Sequence, residues 1–351
     1  MGHTDNAATP APHNISDNPR PRTLLSIPEH EADAFFTAES WAELNELCDV
    51  VEARPDALQD LECFRDVAQG TSIFITAWGF PRLESERLEL APELRFVMHA
   101  ASSIQTLVSD EFWAAGIPIA QAGDAMAPSV AELSLTFTLA LLRRTPRFDH
   151  ALRSGADWSD ARTAASRPRE ISGARIGVIG ASRTGRRYID MCRALGAEST
   201  VYDPYIHEGD ELRAYAADLP EVLSSCDVIA IHAPETPETR GLLGAAELAA
   251  IKDGGLLVNT ARPALVDEDA LYREVSSGRL DAALDVFGNE PLPAGDRWRN
   301  LPNVLLTPHL GGATVDSRHR AGWIVVSEVR RFLRGEPLQH ALTSDRLKVM
   351  G

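Results

Sequence analysis

The chain has 351 residues, 44% of them hydrophobic, which is material for about two packed domains. Its 34 basic and 51 acidic side chains give a formal net charge of −17. That balance argues against a general affinity for nucleic acid or anionic membranes, and an anionic ligand would need a local cationic pocket.

Residues 1–21 are rich in Pro, Asn and Asp, lack periodicity, and read as a flexible leader. From Arg22 the chain alternates apolar runs (Leu24–Ile27, Val50–Ala53, Ser72–Ala77, Arg95–His99, Ile117–Gln121) with helical patterns over Ala32–Leu47 and Leu58–Ala68. Such alternation calls for a parallel sheet covered on both faces. One long helix is predicted over about Ser129–Leu152, and after a polar loop a second alternation begins. Its strands are Ile176–Ile179, Thr200–Asp203, Val228–His232, Leu256–Thr260, Ala282–Val286 and Val304–Thr307. A helix over Val315–Leu333, with Trp323, Val326, Val329 and Leu333 on one face, closes the chain and is placed to return to the first domain. The predicted fold is α/β in two domains: a dinucleotide-binding domain over 125–312, inserted in a substrate domain made of 22–124 and 313–351.

No run of about 18 apolar residues is visible, and no basic-then-apolar signal pattern opens the chain. Cys48, Cys63, Cys192 and Cys226 are far apart and form no C-x-x-C pair, so they are expected to be buried, reduced thiols. The expectation is a cytoplasmic protein with no metal site, and with neither nucleic acid nor membrane as partner.

The segment Arg175-Ile-Gly-Val-Ile-Gly-Ala-Ser-Arg-Thr-Gly185 writes a strand, a tight glycine turn and a helix start. Gly180 makes the turn and Gly185 lets the helix approach the sheet. Ser182, Arg183 and Thr184 stand at the helix N-terminus, where a pyrophosphate would sit. Ser182 stands where the pattern G-x-G-x-x-G has its middle glycine. Asp203 lies 18 residues beyond Gly185, at the end of an apolar run, where its carboxylate can accept bonds from ribose hydroxyls and repel a 2′-phosphate. NAD is therefore favoured over NADP.

Three further strands end in reactive groups: Leu257-Val-Asn-Thr-Ala-Arg262, Ala283-Leu-Asp285-Val-Phe-Gly-Asn-Glu290-Pro, and Leu305-Leu-Thr-Pro-His309-Leu-Gly-Gly. Singly, each has a bland reading as a surface cation, a loop acid or a loop histidine. Together they supply what hydride transfer at a 2-hydroxy acid needs: a fixed cation, a proton carrier, and an acid to hold that carrier.

On these residues the chain resembles the D-isomer-specific 2-hydroxyacid dehydrogenases. Gly180–Gly185, Asp203, Arg262, Glu290 and His309 occur in the family's order, with spacings of 59, 28 and 19 between the last four. The resemblance implies a Rossmann-type NAD-binding domain within a flavodoxin-like substrate domain, and a homodimer acting on a 2-keto or 2-hydroxy acid. It implies that Arg262 orients the substrate, His309 is the acid/base, and Glu290 holds that His. It also implies that Asp285 meets the nicotinamide carboxamide, and that His232, Ala233, Pro234, Thr239, Thr260, Ala261, Gly311 and Gly312 line the cofactor groove.

The chain departs from the family in two places. The loop that usually carries glycines against the substrate carboxylate reads His99-Ala-Ala101-Ser102-Ser103, and Pro263 follows Arg262, biasing it toward extended backbone. Trp78 could present an aromatic wall to the substrate. The competing reading is an NAD(H)-sensing regulator of the same fold with weak or no catalysis, since fold alone does not decide function.

Overall fold

The computed structural model describes residues 20–345 and Leu347, so the expected leader lies outside the described residues apart from Arg20 and Pro21. The chain divides into two compact units, one running to Met126 and resuming at Val315, the other spanning Ala127–Thr314. The second is inserted in the sequence of the first.

In the first unit β1 (Arg22–Ser26), β2 (Asp49–Glu52), β3 (Ile73–Thr76), β4 (Phe96–His99) and β5 (Ile119–Gln121) form a parallel sheet in the order β5-β4-β3-β1-β2. The second unit carries β6 (Arg175–Ile179), β7 (Glu198–Tyr202), β8 (Val228–Ile231), β9 (Leu256–Asn259), β10 (Asp281–Leu284) and β11 (Val304–Leu306), parallel in the order β11-β10-β9-β8-β6-β7. A two-residue strand absent from the sequence reading, β12 (Ala341–Leu342), pairs antiparallel with β5. Strands β3, β4 and β8 are buried at every position, as a parallel sheet covered on both faces requires. In each sheet the order reverses once, at β1/β3 and at β6/β8. Open α/β sheets hold ligands outside the carboxyl ends of strands at such points.

Several helices differ from the periodicity reading. The helix expected over Ala32–Leu47 is two, Glu29–Phe35 and Ala38–Leu47, because Thr37 is extended and its hydroxyl accepts the Ser40 N–H at 3.2 Å, starting a new helix. The helix expected over Ser129–Leu152 is also two, Ala127–Leu142 and Thr145–Arg153. Arg144 turns left-handed at φ 55, and Pro146 sits in the first turn of the second helix. Gly123–Leu142 is, by length and composition, apolar enough to cross a membrane, although Asp124, Ser129, Glu132, Ser134, Thr136 and Thr138 keep it from being an unbroken apolar run. More than half of it is buried within the protein. Ser134 meets the Thr260 hydroxyl and Thr138 the Tyr188 hydroxyl, each at 2.6 Å, and Thr136 donates to the Glu132 carbonyl at 2.9 Å.

The closing helix, Val315–Arg334, buries Ala321, Val325, Val326 and Val329 in the first unit's core with Phe35, Phe96 and Met98. Trp323, expected on that face, is 39% exposed; Gly322 takes the close approach instead, since a Cβ there would lie 2.0 Å from the Phe35 carbonyl oxygen. Cys48, Cys192 and Cys226 are buried, and burial pushes the thiols of Cys48 and Cys192 up to about 11. Cys63 is exposed, contrary to expectation, because Phe64 and Ala68 set the buried face of its helix.

Candidate active site

Register brings the chemistry of the second unit to one edge. Ile179, Tyr202, Ile231, Asn259, Leu284 and Leu306 are partners across six neighbouring strands, and each ends its strand. Gly180, Asp203, His232, Arg262, Asp285, Glu290 and His309 all leave from this carboxyl edge.

The glycine turn is built for a close approach. Gly180 has φ 102, and a Cβ on it would lie 2.3 Å from the Ala233 nitrogen; one on Gly185 would lie 2.1 Å from the Gly180 carbonyl oxygen. Ser182 does more than replace a glycine. It is the N-cap of the helix Arg183–Ala194, and its hydroxyl accepts the Gly185 N–H at 3.2 Å. Asp203 accepts the Ala181 N–H at 2.7 Å on one oxygen and the Tyr205 N–H at 2.8 Å on the other. It therefore braces the turn, and the second lone pair of each oxygen suits a ribose hydroxyl. A bare glycine turn, a capped helix start and this acid together fit a dinucleotide. Beside them Arg186 donates to the Ala181 carbonyl at 3.1 Å and pairs with Asp210, whose carboxyl that guanidinium holds down at about 2.

The groove wall is clasped by its own hydroxyls. Thr239 donates to the Pro234 carbonyl at 2.6 Å and accepts the Thr236 N–H at 2.8 Å, so it shapes the loop after His232 and Ala233. His232 is buried with its ring 4.8 Å from Tyr188, and neither ring nitrogen has a partner among the described residues. Burial pushes its pKa down to about 3, so the ring is neutral.

His309 Nδ1 lies 2.7 Å from Glu290 Oε2, and the other Glu290 oxygen accepts the Phe287 N–H at 2.8 Å. That second bond fixes the carboxylate. The pairing uses Nδ1, so Nε2 is the ring nitrogen that Glu290 leaves unused. His309 is left-handed at φ 55, and its N–H donates to the Asp285 carbonyl at 2.8 Å. The buried Asp285 carboxylate accepts the N–H groups of Leu310 and Gly311, at 2.9 Å each, and the Thr307 hydroxyl. Its oxygens are thus engaged by the His309 loop, a duty the sequence reading did not give it. Gly311 sits hard against this carboxylate, where a Cβ would come to 3.0 Å.

Arg262 is extended, φ −144 and ψ 142, as a residue before proline should be. Its guanidinium donates to the Ala261 carbonyl at 2.8 Å. The loop is clasped by a residue the sequence reading passed over: Asn259 accepts the Ala261 N–H at 3.0 Å and donates to the Arg262 carbonyl at 3.1 Å. An Asn placed three residues before the Arg is the Asx-turn spacing that could have revealed it.

In the first unit, Ala101 is fully buried, so only Ser102 and Ser103 of the expected contact loop are partly open. His99 is structural: it is buried, its Nδ1 meets the Thr76 hydroxyl at 2.9 Å, and burial pushes its pKa down to about 4. Trp78 is 41% exposed and packs near Phe35 and the Arg318 guanidinium.

Residues 135–311 match the family described as D-isomer specific 2-hydroxyacid dehydrogenase, NAD binding domain. The chain belongs to that family, and the matched segment is its NAD-binding domain. A D-3-phosphoglycerate dehydrogenase of Methanocaldococcus jannaschii is 35% identical over 71% of this chain and 47% of its own length. A hydroxypyruvate reductase of Thermotoga maritima is 33% identical over 72% of this chain and 82% of its own. The chain spans about half the length of the first of these. Among solved structures, a D-2-hydroxyisocaproate dehydrogenase shares the fold with a TM-score of 0.80, at 22% identity, over 92% of this chain and 100% of that one.

Proposed function

We propose that the protein is an NAD-dependent dehydrogenase interconverting a 2-keto acid and a D-2-hydroxy acid. The observation that carries the reading is the 2.7 Å contact of His309 Nδ1 with a Glu290 carboxylate that is itself anchored. When bound, NADH supplies the hydride to the 2-keto carbon. His309, protonated, donates from Nε2 to the oxygen of that carbon, and Glu290 holds the ring and stabilises its charge. Arg262 orients the substrate carboxylate through its planar fork, which a lysine point charge cannot copy. Asp285 serves the carboxamide and the His309 loop together, and Gly180–Gly185 with Asp203 hold the dinucleotide. The names of the relatives, a phosphoglycerate dehydrogenase and a hydroxypyruvate reductase, support a small 2-hydroxy or 2-keto acid substrate and do not favour the sensing reading.

The test is loss of nicotinamide absorbance when purified protein is mixed with NADH and a panel of 2-keto acids. Turnover that His309→Gln lowers by roughly 10²- to 10⁴-fold, with NADH affinity kept, supports the reading. NADH binding without turnover on any acid sinks it. A cytoplasmic homodimer belongs to the same proposal. Exposed Leu152 and Trp158 of the second unit offer apolar surface to a second copy, and light scattering decides the mass.

A further inference from the structure

We propose that a groove in the first unit selects the substrate by a flat, apolar, uncharged side chain, with Trp78 as the specificity-determining residue. This rests on the dehydrogenase reading above.

The groove, about 640 Å³, is lined by residues that follow β1, β2 and β3. That is the carboxyl edge at the point where the strand order of this sheet reverses, the place where such sheets hold ligands. Thr76 and His99 are register partners at the ends of β3 and β4 and are joined by a side-chain hydrogen bond. Trp78 and the Ser102–Ser103 loop therefore leave adjacent strands on the same edge.

The walls are apolar: Trp78, Pro28 and Pro55. Gln59 spends its amide on the Pro55 and Gly79 carbonyls, at 3.3 and 2.9 Å, and so ties the groove together. The indole is held before any ligand arrives. The Arg318 guanidinium lies 4.6 Å from the ring, Phe35 is 6.0 Å away, and Arg318 is itself fixed by Glu31 at 2.7 Å. An aromatic ring already ordered gives contact area at little cost in entropy.

Charge sets the other half of the selectivity. Arg54 is the one cation among the lining residues, and it is paired with Asp56 at 2.6 Å and Glu29 at 3.3 Å, both of which also line the groove. The three sum to one negative charge, so a phosphate or carboxylate on the substrate side chain meets repulsion and finds no unpaired cation. A planar hydrocarbon side chain meets neither penalty.

The experiment compares kcat/KM with NADH for pyruvate, phenylpyruvate and 3-phosphohydroxypyruvate. Wild-type protein should prefer phenylpyruvate to both others by about tenfold or more. Trp78→Ala should lower the phenylpyruvate-to-pyruvate ratio about tenfold through KM, and Trp78→Phe should restore most of it. Glu29→Gln with Asp56→Asn, two exposed changes, should raise the 3-phosphohydroxypyruvate-to-pyruvate ratio by freeing Arg54. A preference for the phosphorylated acid, or a ratio indifferent to Trp78→Ala, overturns this inference and leaves the dehydrogenase reading standing. If no acid turns over, the dehydrogenase reading falls instead. Calorimetry of phenylpyruvate on wild type and Trp78→Ala then decides the groove, and equal or absent binding overturns it.

Discussion

Asp285 holds His309 from two sides: its carbonyl accepts the His309 N–H at 2.8 Å, and its buried carboxylate accepts the next two N–H groups of the same loop. The aim of the imidazole is therefore set by a residue on the neighbouring strand end, one beyond β10.

Truncating that carboxylate leaves the buried Gly311 N–H and the part-buried Leu310 N–H without their acceptor. Asp285→Ala is expected to destabilise the protein by about 2–4 kcal/mol and to depress turnover strongly, with Asp285→Asn milder on both counts. Urea denaturation and steady-state rates on the same preparations check this. A fully stable Asp285→Ala variant would show that the loop is held by something else.

Glu290→Gln probes the proton path. A carboxylate can only accept from Nδ1, which leaves Nε2 as the nitrogen that would trade a proton with substrate in the proposed reaction; an amide can donate to Nδ1 and impose the other tautomer. Turnover should fall about 10- to 100-fold while NADH affinity stays within about twofold. Combining the change with His309→Gln should cost little beyond His309→Gln alone, because the two residues act as a unit. Additive losses would separate them.

The nucleotide turn makes a graded set. Ser182→Ala should cost about 1 kcal/mol by removing the cap, and Ser182→Gly a few tenths. Gly180→Ala should be far worse, since its Cβ meets the Ala233 nitrogen at 2.3 Å in a left-handed backbone. Thermal melting with and without NADH ranks the three, and a Gly180→Ala variant as stable as Ser182→Gly would refute the close approach.

Much of this was legible in the amino-acid order. The strand runs, the glycine turn and the residues Asp203, Arg262, Glu290 and His309 were marked by pattern, because parallel strands bury continuous apolar runs and end abruptly at polar groups. The two broken helices were not, since Thr37 and Arg144 act through local backbone conformation that a hydrophobic period averages away. Nor were the clasps: Asn259, Thr239 and the carboxylate of Asp285 bond to main chain, and a bond to main chain leaves little trace in which side chains are chosen. Ala101 went astray for a related reason, because burial of a small residue in a loop depends on its neighbours in space.

Acid should weaken the fold through two buried imidazoles. Burial lowers His99 to about 4 and His232 to about 3, against an ordinary 6.5 in the unfolded chain, so the unfolded state takes the proton first. Their stabilising contribution is complete above pH 6.5 and is lost as pH falls from there toward the folded values. The loss is about 1.4 kcal/mol per pH unit for each ring. Melting temperatures at pH 7.5 and pH 5 should differ markedly in wild type and less in His232→Phe; equal differences would remove His232 from the account.

The left-handed backbone at residue 309 reaches beyond the chemistry of the present chain. Asparagine enters that region more readily than most side chains, and it could replace the imidazole while leaving the path of the loop unchanged. The proposed proton donation would end, while the glycine turn and Asp203 would be untouched. A lineage carrying this platform stands one substitution from a protein that counts reduced nicotinamide without consuming it.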